Sequence, residues 1–133
     1  AMTRGGPARD GKVATLSHWF DLLDSQARLQ RAWSALFEKF DAVIAPASGV
    51  NAFAHIAERN VARRTLSIDG EDTPFGVQFA WAGLATFPNL PATSVPVGTD
   101  PRGLPIGVQV IANRYRDHDA IAVAALAHRL SRS

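Results

Sequence analysis

The apolar residues of this chain fall into patterns that predict a long N-terminal helix, short strands and a C-terminal helix. Residues 14–39 carry apolar side chains three and four positions apart, which is the spacing of a helix face. A hydroxyl of Thr15 or Ser17 is placed to accept from the free N–H groups of the first turn. The helix has two apolar stripes, of which the first is Leu16, Trp19, Phe20, Leu23 and Ala27 and the second is Leu22, Leu29, Trp33, Leu36 and Phe40.

Two apolar stripes are unusual for a helix of a small domain, because one face of such a helix normally meets water. We expect this helix to be covered on more than one side, by protein surface that this chain does not itself supply. Two alternatives remain open at this point. The helix is either wrapped by this chain alone or forms a helix-to-helix contact between two copies.

The middle of the chain predicts short extended pieces separated by turns. Residues 40–46, FDAVIAP, form an apolar run that ends in proline and predicts a buried strand. A helical turn is expected around residues 53–58. Asp69-Gly70 is a turn signal between two short extended pieces.

A second helix and a hairpin are predicted to follow. Thr73 before Pro74 is typical of a helix start, since proline fits the first helical position. The apolar run that continues to residue 87 supports this helix, although its two glycines weaken it. Residues 92–97 and 106–111 then predict the two strands of a hairpin.

Pro96 restricts that hairpin, and an acidic residue begins the last helix. Because Pro96 has no N–H, its strand must lie at a sheet edge or be bulged there. Asp117 is placed to cap a closing helix, with Asp119 in its first turn and Arg129 in its last, as the helix dipole favours. These elements predict a mixed α/β fold in a single domain over residues 14–133. The polar stretch 1–13 is expected to be a flexible tail or an expression remnant.

Composition narrows the functional classes. The chain has 133 residues, of which 47% are hydrophobic, so a folded domain with its own core is expected. It has no cysteine, which excludes disulfides, thiolate nucleophiles and cysteine-based zinc sites. The net charge is only +2, and one short cluster, Arg59, Arg63 and Arg64, concentrates basic residues, so no nucleic-acid partner is expected. No apolar run approaches ~18 residues, so no membrane partner is expected and a cytoplasmic location is the default.

No residue pattern supplies a complete catalytic or cofactor site. The four histidines do not form an HExxH pair, and the glycines do not form a phosphate-binding loop. No G-x-S-x-G turn is present. The two lysines, Lys12 and Lys39, lack the buried, serine-flanked context that lowers a lysine pKa. No cofactor, no metal and no catalytic residue is therefore assigned.

Four stretches nevertheless follow one another in an order that resembles the C-terminal region of amidase signature enzymes. They are FDAVIAP at 40–46, NLPATSVPVG at 89–98, GLPIGVQVIA at 103–112 and the helix introduced by Asp117 or Asp119. The resemblance covers the chain from about Thr15 to Leu130. It implies an amide hydrolase, in which a serine attacks the amide carbonyl and a second serine, on a cis peptide bond, relays its proton to a lysine.

The resemblance does not carry that triad into this chain. In the family the three residues lie on the N-terminal side of the matched region, and this sequence has no Ser-Ser pair and no Gly-Gly-Ser run. The chain is expected to supply sheet and acyl-pocket wall and to be inactive alone. Its expected partner is the missing N-terminal catalytic half or a second copy, with a small amide as substrate of the full enzyme only. The alternative is a non-catalytic module, derived from an amidase, that self-associates or binds a partner.

The resemblance also points to candidate pocket residues. The helix before the hairpin is expected to send Phe75, Phe79 and Trp81 toward the acyl group, while Pro91 and Pro96 hold an extended segment near the catalytic centre. Asn89 and Pro91 are further candidates for substrate binding. No charged residue lies on this stretch to pair an amino-acid head group, so the pocket favours apolar or aryl acyl groups over glutamine. Core packing is the alternative role of the aromatic residues. Asn89 also stands where the family commonly has glycine.

Overall fold

The computed structural model describes residues 14–132, so the predicted tail at 1–13 lies outside the described residues. The described part is a mixed α/β fold, as the sequence predicts. Its helices and strands are α1 Leu16–Leu36, β1 Val43–Pro46, β2 Thr65–Ile68, β3 Glu71–Pro74, α2 Phe79–Thr86, β4 Ala92–Thr99, β5 Pro105–Ile111 and α3 Asp117–Leu130, with 3-10 helices at Val61–Arg63 and Phe75–Gln78.

The main sheet has the order β1-β5-β4, and both pairs are antiparallel. Strands β4 and β5 form the predicted hairpin, and each is slightly longer than predicted on the side of the turn. The pairing shifts between Pro96 and Gly98, so the strand is bulged there, and β4 is also an edge strand. Both conditions predicted for Pro96 are met, since its strand lies at the sheet edge and is also bulged. A residue without an N–H cannot donate to the ladder, and such a position does not require it to.

The core lies between the main sheet and α3. Val95, Val110 and Ala124 form its buried centre, and Val108 and Val123 are partly buried against it. The buried residues of α3 are Ala120 and Ala124, so this helix packs on the sheet through small side chains. The opposite face of the sheet carries Gln109 and Ile111, which are buried by other parts of the chain.

Helix α1 begins where the sequence predicts. The Oγ1 atom of Thr15 accepts from the backbone N–H of His18 at 3.3 Å, and Nδ1 of His18 accepts from the N–H of Thr15 at 3.4 Å. The backbone N–H groups of Thr15 and His18 are thereby both hydrogen-bonded, which is the capping-box arrangement. No residue of α1 is buried. Within residues 14–132 the chain does not wrap this helix, so that alternative is wrong.

Two predictions for the stretch between α1 and the 3-10 helix at Val61–Arg63 are wrong. The predicted buried strand is short and half exposed, because β1 lies at an edge of the sheet and turns Ile44 outward. The predicted helical turn at 53–58 is absent, and residues 51–60 have no regular structure. This segment is held instead by side-chain contacts, such as the Arg64 Nε donation to the Glu58 carbonyl at 2.6 Å.

The turn at Asp69-Gly70 is confirmed, with φ of 52° and 86°. It joins β2 and β3, which pair from Thr65 opposite Pro74. The predicted helix start at Thr73-Pro74 is therefore wrong, since both residues belong to a strand. A 3-10 turn follows, and α2 begins only at residue 79.

Helix α3 differs from its prediction by one position. Its N-cap residue is Arg116, and Asp117 lies in the first turn together with Asp119. The Nε atom of Arg116 forms an ion pair with Asp119, and this bond raises the pKa of the arginine. Both carboxylates lie at the positive end of the helix dipole, as predicted.

Asp100 organises the turn between β4 and β5. Its side chain is buried, and Oδ1 accepts from the backbone N–H groups of Arg102 at 2.9 Å and Leu104 at 3.0 Å. Oδ2 pairs with the Arg102 guanidinium at 2.7 Å. The Arg102 side-chain bond, followed by the Leu104 backbone bond, holds the pKa of Asp100 below its ordinary value of 3.8. The carboxylate form is therefore the one that the folded chain stabilises.

We expect this turn to make stability depend on pH in the acid range. Because the pKa of Asp100 is lowered by folding, its contribution is complete above 3.8 and is lost as pH falls through the lower folded-state value. The Asp100→Asn variant removes that contribution at neutral pH and has a flatter acid limb in urea unfolding between about pH 2 and pH 7. Asp24→Asn on α1 is the control. An Asp100→Asn acid limb as steep as that of the parent would contradict this assignment.

Candidate functional site

Three phenylalanines form an aromatic cluster on the outside of the fold. The Phe75 ring lies 6.1 Å from that of Phe53 and 5.9 Å from that of Phe79, at interplanar angles of 77° and 86°. These edge-to-face arrangements are favourable for aromatic pairs. The Arg64 guanidinium lies 5.9 Å above the Phe75 ring. Phe79 remains 62% exposed, so the aromatic cluster presents an apolar surface to the outside.

Trp81 lies apart from the aromatic cluster, although it is on the same helix as Phe79. A Cβ atom added to Gly49 would lie 3.1 Å from Nε1 of Trp81 and 3.0 Å from Oε1 of Gln78. The loop after β1 thus approaches α2 so closely that only glycine fits without displacement of a neighbour. Oε1 of Gln78 accepts from the Gly49 N–H at 2.7 Å and from the Ser48 hydroxyl at 3.2 Å.

Gln109 connects the same region to the sheet. Its Nε2 atom donates to the Pro46 carbonyl at 2.9 Å and to the Trp81 carbonyl at 2.7 Å. One buried amide on the central strand therefore joins β1, β5 and α2. Because α2 carries Phe79, this amide positions the exposed end of the aromatic cluster relative to the sheet.

Asn89 and Pro91 lie on a second feature, a cavity of about 460 Å³ that we call the Asn89 cavity. Asn89 has φ of 57°, a left-handed conformation that asparagine adopts more readily than most residues. The Pro91 carbonyl accepts from the Ala112 N–H at 3.1 Å, which fixes the segment beside the end of β5. The cavity is lined by Thr86, Asn89, Leu90, Pro91, Arg114, Tyr115 and Asp117.

The structure therefore divides the five predicted pocket residues among three places. Phe75 and Phe79 are brought together, Asn89 and Pro91 are brought together, and Trp81 contacts the loop after β1. No residue of the aromatic cluster lines the Asn89 cavity. The roles of all five in substrate binding stay predictions.

Three residues at these places were missed by the sequence analysis. Phe53 joins the aromatic cluster from a segment that was predicted to be helical, and no local signal revealed it. Arg114 and Tyr115 line the Asn89 cavity, with the guanidinium 4.9 Å from the centre of the tyrosine ring. Both residues lie in the loop after β5, and this position could have identified them, because residues in loops at strand ends often carry function.

The described residues provide neither a metal site nor a helix that could span a membrane. Within residues 14–132 no group of three or more histidine, aspartate or glutamate side chains is arranged to hold a metal ion. None of the helices in that range combines the length and hydropathy needed to span a bilayer.

Comparison with known proteins assigns the chain. A model of the amidase family, described as "Amidase", matches residues 11–121. The chain belongs to the amidase family. This amidase chain is 32% identical over 136 residues to the indoleacetamide hydrolase of Bradyrhizobium japonicum, covering 95% of this chain and 27% of that protein. It is also 32% identical over 104 residues to a fatty acid amide hydrolase of Medicago truncatula, covering 77% of this chain and 16% of that protein.

A solved structure agrees with the sequence relatives. The amidase chain superposes with a TM-score of 0.61 and 27% identity on a bacterial aryl acylamidase of the amidase signature family, over 88% of this chain and 24% of that one. The resemblance drawn from the hairpin motifs is thus confirmed. The chain spans between about a sixth and a quarter of the lengths of these relatives.

Proposed function

We propose that this amidase chain supplies sheet and one wall of the acyl pocket in an amide-hydrolysing amidase signature enzyme, and that the Ser–cis-Ser–Lys triad belongs to polypeptide beyond this chain. One observation carries the proposal: residues 11–121 match the family, yet the sequence contains no Ser-Ser pair and only two lysines. The indoleacetamide hydrolase has 73% of its length outside the matched part, which leaves ample room for a triad.

Three serine hydroxyls support this assignment, because they serve local structure. The Oγ atoms of Ser25 and Ser131 donate to backbone carbonyls of their own helical turns, and that of Ser48 donates to Gln78. None of these three hydroxyls contacts a lysine. A serine nucleophile needs a base within hydrogen-bonding reach, and these three lack one in the described part of the chain.

The aromatic cluster is the proposed pocket wall. Phe79 and Phe53 each contact Phe75, and both side chains are at least half exposed, so they can contact an apolar group. Substrate pockets are lined mainly by apolar and aromatic side chains, with a few polar groups for orientation. The proposed acyl group is therefore apolar or aryl. Asn89 and Pro91 would contribute the extended backbone at the Asn89 cavity.

The purified chain alone is expected to release no ammonia from simple aliphatic and aryl amides, even at high protein concentration. The physical reason is that acyl transfer from an amide requires both a nucleophile and a base that activates it. Ammonia is measured against a boiled sample of the same preparation. Release that survives repurification and is abolished by a serine-trapping reagent would mean that this chain holds its own nucleophile, and it would overturn the proposal.

The exposed apolar side chains of α1 favour one second candidate, a non-catalytic module that self-associates. Exposed patches of this kind drive association. In that case two copies cover each other, and light scattering gives a mass of at least twice the 14.3 kDa of one chain. A clean monomer at high concentration would contradict the second candidate and leave the first intact.

A further inference from the structure

Helix α1 is attached to the rest of the chain mainly along its C-terminal half. The side-chain amides of Gln26 and Gln30 donate to the carbonyls of Phe87 and Pro88, the second at 3.0 Å. Toward the N-terminus the large side chains stay exposed, with Leu16 at 70%. Among residues 14–132, no helix or strand makes a broad contact with α1.

A groove runs between the exposed half of α1 and helix α2. It has a volume of about 290 Å³. We call it the α1 groove. At its floor, no atom lies within 4 Å of the place where a Cβ of Gly83 would be. The groove is lined by Trp19, Leu22, Leu23, Gln26, Gly83, Thr86 and Phe87.

This arrangement requires a covering surface. Most of the stability of a helix in a protein comes from the packing of its apolar face, and α1 lacks such packing over its first two turns. Trp19 is 53% exposed and lies next to an open apolar groove. Exposed apolar surface of this kind, with polar residues around it, marks a contact site for another protein segment.

Two observations indicate which segment fills the α1 groove: the composition of residues 1–13 and the coverage of the superposition on the aryl acylamidase. Residues 1–13 contain only Met2 and Val13 as large apolar residues, so their composition does not suit an apolar groove. The superposition on the aryl acylamidase leaves 12% of 133 residues, about 16, outside it, which is fewer than the 21 residues of α1. At least part of α1 therefore belongs to the shared fold, in a chain of which 76% has no counterpart here.

We propose that the α1 groove and the exposed apolar side of α1 bind the remainder of an amidase chain, through an apolar segment that places a bulky side chain over Gly83. This inference rests on the proposed function, because its occupant is the absent catalytic half. Docking there holds α1 against α2. Since α2 begins at Phe79, the same contact positions the exposed end of the aromatic cluster.

Hydrogen–deuterium exchange of the full chain tests this surface. The probe is the Bradyrhizobium japonicum indoleacetamide hydrolase without the part that aligns with this chain, co-expressed with this chain and compared with a preparation whose circular dichroism shows that the probe alone is folded. We expect the α1 amides to exchange at least about tenfold more slowly when the probe is present. Gly83→Leu fills the groove from its floor and should abolish the slowing, while Gly83→Ala should retain it. A Cβ atom at position 83 meets no other atom within 4 Å, and both substitutions favour the helix.

The control and the contrary outcomes separate the two proposals. Ile121→Ser removes an exposed apolar side chain from α3, away from the groove, and should leave the slowing unchanged. Slowing confined to other elements would overturn the α1 groove and leave the proposed function standing. Slowing that follows the concentration of this chain alone, without a probe effect, would make a second copy the occupant. No slowing anywhere, with no ammonia release by the mixture, would overturn both proposals.

Discussion

Replacement of Gln109 by glutamate is expected to lower the free energy of unfolding by about 2–4 kcal/mol at neutral pH. Its Nε2 atom donates to two carbonyls, those of Pro46 and Trp81. A carboxylate has no donor, so both carbonyls lose their partner and face a negative charge at a buried position. The lost free energy is that of the contact that joins α2 to the sheet.

Urea unfolding of Gln109→Glu and of the parent measures this effect. Gln26→Glu is the matched control, because Gln26 also donates to a carbonyl, that of Phe87, but at an exposed position. Its expected cost is below about 1 kcal/mol. The near-ultraviolet circular dichroism of the chain, to which Trp81 contributes, should weaken in the Gln109 variant and not in the control. Equal stabilities for the two variants would show that the amide of Gln109 does not join these elements.

Truncation of Ile111 to alanine is expected to cost about 2–5 kcal/mol. Its side chain has 0% exposure, and its strand position lies between Val43 of β1 and Ala92 of β4. The lost methyl groups leave a cavity on the face of the sheet opposite α3. Since small domains are stable by only about 5–15 kcal/mol, this single change removes a large share of the free energy of unfolding.

The control for that variant is Ile121→Ala. Ile121 is the same residue type, but it lies on α3 with 56% exposure. Its expected cost is within about 0.5 kcal/mol, as for most surface substitutions. Thermal and urea unfolding compare the three proteins. If Ile121→Ala were as costly as Ile111→Ala, the outer side of α3 would have to be covered in solution, and the described core would be incomplete.

The elements that were predicted correctly depend on neighbours in the chain. The hairpin at residues 92–111 was predictable because alternation marks its strands and Pro96 marks its bulge. Asp69-Gly70 was predictable because these residues tolerate the left-handed backbone of a tight turn. The cap of α1 followed from a hydroxyl beside an apolar period.

The wrong predictions arose where pairing over a distance competed with a local signal. Thr73-Pro74 is a good helix start by itself, but the ladder of β3 on β2 includes both residues. A strand pairing therefore replaces the first helical turn, and α2 starts after it. The predicted helical turn at 53–58 failed in the same way, because Phe53 instead packs on Phe75, outside any helix.

By itself, the sequence determined the kinds of elements, most of their bounds, the amidase resemblance and the absence of a Ser-Ser pair, because each of these depends on residue identity or on spacing within a few positions. Only the tertiary structure decided which of the candidate pocket residues meet. Contacts such as Gln109 to Pro46 and Gln109 to Trp81 join positions 63 and 28 residues apart. No local pattern specifies such pairs, since they arise from the packing of α2 and the loop after β1 on the sheet.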